Sequence, residues 1–206
     1  MPRRVAKPKS RPKDLKEACV VAAHAVIAEK GVDGLSLRDV ARRLGVSHQA
    51  PYRHYESRDH LLAEVIRRGL ERFAEHLEAR PRHPDPEKDM GALGEAYLRY
   101  ARDNPLEYRL LFGMRWPDVA RNPDLLANAI KAFDILRQTL GRLPQANRRS
   151  SDQLNLDALF VWSVMHGQST LLQTNAFENL NLPGTVVSKA AAHILGRIGD
   201  ALGGHS

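Results

Sequence analysis

The chain has 206 residues, 43% of them apolar and 27% charged, with a formal net charge of +7. That is ordinary for a soluble globular protein and enough for one good-sized domain, or a small domain fused to a larger one. No apolar run approaches the roughly 18 residues that span a bilayer, and the opening "MPRRVAKPKSRPK" lacks the apolar core of a secretory signal, which together predict a cytoplasmic protein.

The charge is uneven. Residues 1–60 carry 13 Lys and Arg against 7 Asp and Glu, whereas residues 61–206 carry 18 against 17. A positive field on one small region suits a polyanion, nucleic acid before membrane. Six of those positive charges lie in the first 13 residues, so a solvated tail is the plainer alternative. The single cysteine, Cys19, has no partner for an internal disulfide and reads as a small buried apolar residue.

Apolar residues recur at spacings of three and four, and strand-like alternation is nearly absent, which predicts an all-α fold of about nine helices. Residues 1–12, rich in Pro, Lys and Arg, read as a disordered basic arm. A first helix is expected over 13–30, with Leu15, Cys19, Ala22 and Val26 on one face and Gly31 as its stop. Ser36 caps a second, with Asp39 as capping-box partner and Gly45 in the left-handed position at its end. Ser47 is expected to cap a third helix over 48–55, and a long fourth runs over 57–79. The segment "RPRHPDPEK" breaks it. The pairs Asp85-Pro86, Asn104-Pro105 and Asn122-Pro123 each signal a helix start, predicting helices near 86–103, 105–113 and 123–142. Ser150 with Gln153 opens another to about 175, and Thr185 opens the last, which ends at Gly203-Gly204. The domains expected are a three-helix unit over 13–60 and a larger helical one over 61–203.

An eight-residue third helix is too short to stand alone, so its neighbours must hold it and its outer face is free for function. The tight "GVS" turn before it gives the build of a helix-turn-helix, whose second helix lies in the major groove. His48, Gln49 and Ala50 are then expected to face base edges, Gln49 pairing with adenine and Ala50 touching a thymine methyl. Arg53 suits guanine or phosphate, and Tyr52 and His54 suit phosphates. Arg58 and the caps Ser36 and Ser47 complete the DNA-binding set, since free N–H groups at helix starts attract anions. Singly, each residue also has a structural reading as core or solvated surface. Their order, from capping box through turn glycine to aromatic-basic helix, is the stronger signal.

Residues 13–66, through "GVDGLSLRDVARRLGVSHQAPYRHYESRDHLLAEV", closely resemble the DNA-binding domain of the TetR family of transcriptional regulators. The resemblance implies a homodimer whose two recognition helices read half-sites of a near-palindromic double-stranded operator, and a helical C-terminal domain that senses a ligand.

Residues 67–203 hold no triad-like cluster, glycine-rich phosphate loop or paired metal ligands, so neither an enzyme, a metal site nor a cofactor is expected. The segment "LFVWSVMHGQSTLLQTN" resembles the Trp…His-Gly pattern of the WHG-type C-terminal domain found in some TetR-like regulators. Trp162 and His166 share a helix face, and Gly167 costs about 1 kcal/mol inside a helix relative to alanine, which calls for close approach of a helix or ligand. Either Trp162 fills core and His166 satisfies a carbonyl, or both touch a ligand. A pocket for a small, largely apolar effector is assigned to Tyr108, Phe112, Met114, Trp116, Phe133, Trp162, Met165 and His166. In the family the last two helices form the dimer, which assigns Gln168, Leu172, Val187, Ala191, Ile194 and Ile198 to that interface. The function expected is a ligand-responsive repressor. A ligand-independent regulator, a helical enzyme and a sequence-blind DNA packager remain as alternatives.

Overall fold

The computed structural model describes residues 14–174 and 176–203, and no strand occurs among them. The basic arm expected over 1–12 lies outside the described residues. The chain divides into two compact units, one of residues 1–69 and 114–126, the other of 70–113 and 127–206.

In the first unit, helix α1 (Leu15–Lys30) starts at Asp14, whose carboxylate accepts from the Glu17 N–H. It buries Cys19, Val20, Ala23, Val26 and Ile27. Burial also pushes the Cys19 thiol above its ordinary pKa, as suits an inert core residue. Helix α2 (Leu37–Leu44) is capped by Ser36, whose hydroxyl oxygen accepts from the Asp39 N–H at 3.0 Å while its O–H donates to the Asp39 carboxylate at 2.7 Å. Those bonds, with Lys30 and Arg42 beside it, hold the Asp39 carboxyl below its ordinary pKa. Gly45 adopts φ 69°, ψ 30°, a conformation costly for any residue with a Cβ, and its N–H reaches the Ala41 and Arg42 carbonyls.

The third element departs from expectation. Residues 48–50 form turns and Pro51–Arg53 a single 3₁₀ turn. Bonds run from Ala50 N–H to Ser47 O, Arg53 N–H to Ala50 O and His54 N–H to Pro51 O, all spanning three residues. Pro51 is the physical reason: it has no N–H to give the Ser47 carbonyl four residues back, so an α-ladder cannot pass through it. Tyr55, 1% exposed, anchors the far end, and its hydroxyl donates to the Lys16 carbonyl of α1 at 3.2 Å. Burial pushes that phenol up to about 12. Helix α3 (Arg58–Glu78) follows, its first turns burying Leu61, Leu62, Val65 and Ile66.

The second unit holds the end of α3, then α4 (Pro86–Asp103), α5 (Pro105–Phe112), most of α6 (Pro123–Leu140), α7 (Ser151–Gln173), a four-residue α8 (Ala176–Asn179) and α9 (Gly184–Gly203). Each expected Asx-Pro start is found, but only Asp85 caps through its side chain. The amides of Asn104 and Asn122 instead donate backwards, to the Tyr100 and Asp118 carbonyls, so proline alone sets those two starts. Ser150 and Gln153 form the expected reciprocal capping box of α7.

Helices α4, α7 and α9 pack together, and at Gly94 an added Cβ would overlap the Leu195 side chain of α9 and lie 3.7 Å from Met165 Cε of α7. A buried ionic hub closes the other end of the unit. Asp89, with no exposed side-chain surface, accepts from Arg80 at 3.2 Å, from Arg142 and from the His83 N–H, with Arg82 at 3.8 Å. Arg80 also donates to Thr139 Oγ1 on α6 and to the Leu77 carbonyl at the end of α3. Burial alone would push the Asp89 carboxyl up; the His83 N–H and the surrounding guanidinium groups outweigh it and hold the pKa below the ordinary value.

Candidate functional site

The segment between α2 and α3 is held from beneath and open above. Ala50, Pro51 and Tyr55 are buried, whereas Ser47, His48, Gln49, Tyr52, Arg53 and His54 are exposed. Tyr52, half exposed, is a large ring facing outward with no apolar cover. One face therefore carries an amide, two imidazoles, a phenol and a guanidinium, groups that donate to phosphate or to base edges.

Three expected members have other tasks. Ala50 is turned inward at 8% exposure, which leaves it little surface for a base edge. Ser36 commits its hydroxyl to the α2 cap. Arg58 clamps the loop before α2: its Nε donates to the Leu35 carbonyl at 3.1 Å and a terminal nitrogen to the Val32 carbonyl at 2.7 Å, with Asp59 on the other. Its guanidinium is a loop staple rather than a free phosphate ligand. The exposed Arg38 in the first turn of α2 was not singled out from the sequence; its position one residue past the capped start of a helix was the available signal.

In the second unit the expected effector residues divide. Tyr108, Phe112, Phe133, Trp162 and His166 form one aromatic group, with Tyr108–His166 and Phe112–His166 centroids both 5.7 Å apart, Phe112–Trp162 6.2 Å and Phe133–Trp162 5.7 Å. Met165 lies beside them in the core, against Gly94. Met114 and Trp116, both half-buried, belong to the first unit. Among the described residues His166 bonds no carbonyl: its Nδ1 lies 2.8 Å from the Tyr108 hydroxyl, which in turn lies 2.9 Å from that of Tyr97. Tyr97 on α4 joins the group through this bond. Burial lowers the His166 imidazole from its ordinary 6.5.

Two members of the expected dimer set are already covered within the chain. Gln168 and Ile198 are buried within the chain at 4% and 3% exposure, while Val187, Ala191 and Ile194 sit half-buried on the inner face of α9. Leu172 is exposed near the end of α7. The outward face of α7 carries instead Leu156, Leu159, Phe160, Ser163, Gly167 and Leu171, all exposed, at helical spacings of three and four. Phe160 is 44% exposed on this face. Nothing lies within 4 Å of a Cβ added at Gly167, so no helix of the same chain explains that glycine.

Among the described residues no group of three or more His, Cys, Asp or Glu could hold a metal, and no helix is long and apolar enough to cross a membrane. In fold the chain is similar to a protein with unknown function from Rhodococcus sp. RHA1, with TM-score 0.73 at 23% identity over 95% of this chain and 100% of that one. It is also similar to a bacterial regulatory protein in the tetR family from Rhodococcus RHA1, with TM-score 0.67 at 17% identity over 91% and 98%. A third is the transcriptional regulator FadR from Bacillus subtilis, solved in complex with stearoyl-CoA, with TM-score 0.63 at 13% identity over 92% and 99%. In sequence it is similar to an HTH-type transcriptional regulator of Mycobacterium tuberculosis, 28% identical over 130 residues that cover 60% of this chain and 54% of that one. A Staphylococcus aureus HTH-type transcriptional regulator is 34% identical over 55 residues, 27% of this chain and 30% of that one. The chain thus spans about half the length of the M. tuberculosis relative, and both relatives belong to a non-enzymatic class. Residues 20–65 match the family described as bacterial regulatory proteins, tetR family, and residues 90–196, more than half of the chain, match the tetracyclin repressor-like C-terminal domain. With the capped α2, the left-handed Gly45 and the open segment beyond it in the matched region, the chain belongs to the TetR family of bacterial regulatory proteins.

Proposed function

We propose that the protein is a homodimeric DNA-binding transcriptional regulator, a repressor released from a near-palindromic operator by a small, largely apolar effector. The observation that carries the DNA reading is the segment Ser47–His54, anchored by Ala50, Pro51 and Tyr55 and exposing Gln49, Tyr52, Arg53 and His54 outward. Gln49 and Arg53 supply base contacts, and Ser47, His48, Tyr52 and His54 supply phosphate contacts that fix register. The outward apolar face of α7 supports pairing with a second copy, which brings two such segments to bear on two half-sites about one DNA turn apart.

The aromatic group around Trp162 supports an effector site, and the stearoyl-CoA complex of FadR supports the view that this fold accommodates a ligand with a long apolar chain. Helix α3 has residues in both units and is the natural element through which the effector acts. The effector must bind the DNA-free arrangement more tightly than the DNA-bound one, because equal affinity shifts nothing. A second reading, a ligand-independent regulator whose C-terminal unit only dimerises or docks a protein, is favoured by the ring-on-ring contacts of Tyr97, Tyr108 and Phe112.

A footprint on the DNA beside the protein's own gene, repeated with a metabolite library, tests the proposal. A protected near-palindrome that one metabolite clears is the expected outcome. Protection that no metabolite alters selects the second reading, and uniform protection of all duplexes sinks both.

A further inference from the structure

One side chain closes the helix-turn-helix on itself. Arg58, the first residue of α3, reaches back across 23 residues to the Leu35 carbonyl, to which its Nε donates at 3.1 Å. Its Nη2 reaches back across 26 residues and donates to the Val32 carbonyl at 2.7 Å. Nε and Nη2 share one edge of the planar guanidinium, so the grip on the two carbonyls is side-on. The third nitrogen donates to Asp59 Oδ1 at 2.9 Å. The ring so formed encloses the Ser36 cap, α2, the left-handed Gly45 and the exposed segment Ser47–His54.

What this clasp joins has little else to hold it. In the loop after α1, Gly31, Val32, Asp33 and Gly34 are exposed or half-buried, and only Leu35 at its end is buried. Beyond the segment, the Tyr55 hydroxyl makes the matching tie, to the Lys16 carbonyl of α1 at 3.2 Å. The angle at which the segment stands on α2 is therefore set from both sides. Reading bases in register needs that angle in place before contact, and apparent affinity falls with the fraction of molecules that hold it. Attraction to any duplex follows surface charge instead and is indifferent to the angle.

Building on the DNA-binding reading of this unit, we infer that Arg58 is a positioning residue for sequence-specific recognition. It clasps the start of α2 to the start of α3, holds Ser47–His54 at the angle that reads bases, and does not itself touch DNA. The planar fork is the requirement rather than the charge. Lysine keeps the charge, but as a single-point donor it cannot hold both carbonyls side-on.

The full-length wild type, Arg58→Lys and Arg58→Met test this by fluorescence anisotropy on two duplexes. One is the duplex that the wild type selects from a randomised pool, the other its scrambled form. Both variants should bind the selected duplex about tenfold more weakly, and by the same factor, as the competent fraction falls. Arg58→Lys should keep the wild-type affinity for the scrambled duplex and the wild-type salt slope. Hydrogen exchange should quicken in both variants over residues 33–40 and stay as in the wild type along α1. Selected-duplex affinity kept by Arg58→Lys but lost by Arg58→Met makes Arg58 a phosphate contact and overturns the inference, as does wild-type affinity in both. Exchange that does not quicken at the start of α2 overturns it as well. An equal loss on both duplexes, with a melt below the assay temperature, makes Arg58 a general stability residue and also overturns it. A wild type that selects no duplex overturns the DNA-binding reading and this inference with it.

Discussion

Arg53 shows how a residue's role is decided by what lies beneath it. It stands on the exposed face of a segment whose underside is held by Pro51 and Tyr55, so its removal should not disturb the fold. Arg53→Ala is expected to weaken operator binding by about 1–3 kcal/mol with an unchanged melt, measured by fluorescence anisotropy and circular dichroism. A collapsed melt would mean that the side chain is structural. Tyr55→Ala is the contrast: it empties a fully buried site and should cost about 3–5 kcal/mol of stability. His166 gives a pH signature. Unfolded, its ring protonates as pH falls through 6.5; folded, burial delays protonation to lower pH. The unfolded chain therefore binds more protons in that window, and the stability contributed by this residue, full above 6.5, is lost as pH falls toward the folded value. Urea melts from about pH 8 down to about pH 5 should show a decline that His166→Phe makes shallower.

At the level of elements, helix starts were legible because they are local chemistry. Ser36 with Asp39, Asp85 before Pro86 and Ser150 with Gln153 each announce a start within four residues, and each is found. The third helix departs from expectation because a helical spacing of side chains does not register the one N–H that Pro51 lacks, and the segment closes as a 3₁₀ turn with Ala50 buried before it. The faces of α7 and α9 were harder. Nothing in the order of residues tells which apolar stripe meets the chain's own helices, so Gln168 and Ile198 were assigned outward while Leu156 and Phe160 carry the open face. Polar wiring over long separations, such as Tyr108 to His166, has no local signal at all. Two variants probe these elements. Gly167→Ala should raise the intrinsic stability of α7 by about 1 kcal/mol, since its surroundings within the chain are empty, yet weaken self-association if a second copy packs there. Asp89→Asn should cost about 3–5 kcal/mol in chemical denaturation, because three guanidinium groups lose the charge they surround.

For the molecule as a whole, DNA affinity and self-association are expected to be linked. Phe160→Glu puts a charge on the open face of α7; light scattering should then find a monomer, and operator binding should fall to that of a single half-site. Deleting residues 1–12 removes five positive charges and should make the salt dependence of DNA binding shallower, read as the slope of log affinity against log salt. An unchanged slope would exclude the arm from phosphate contact. The hub around Asp89 has a mechanical corollary. It rivets the last turn of α3, through Leu77 and Arg80, to the start of α4 and the end of α6, and half-opening it strands a charge away from water. The C-terminal root of α3 is thus locked to α4 and α6 as one block, so that Leu77 and Arg80 shift only where Asp89 and Thr139 shift with them.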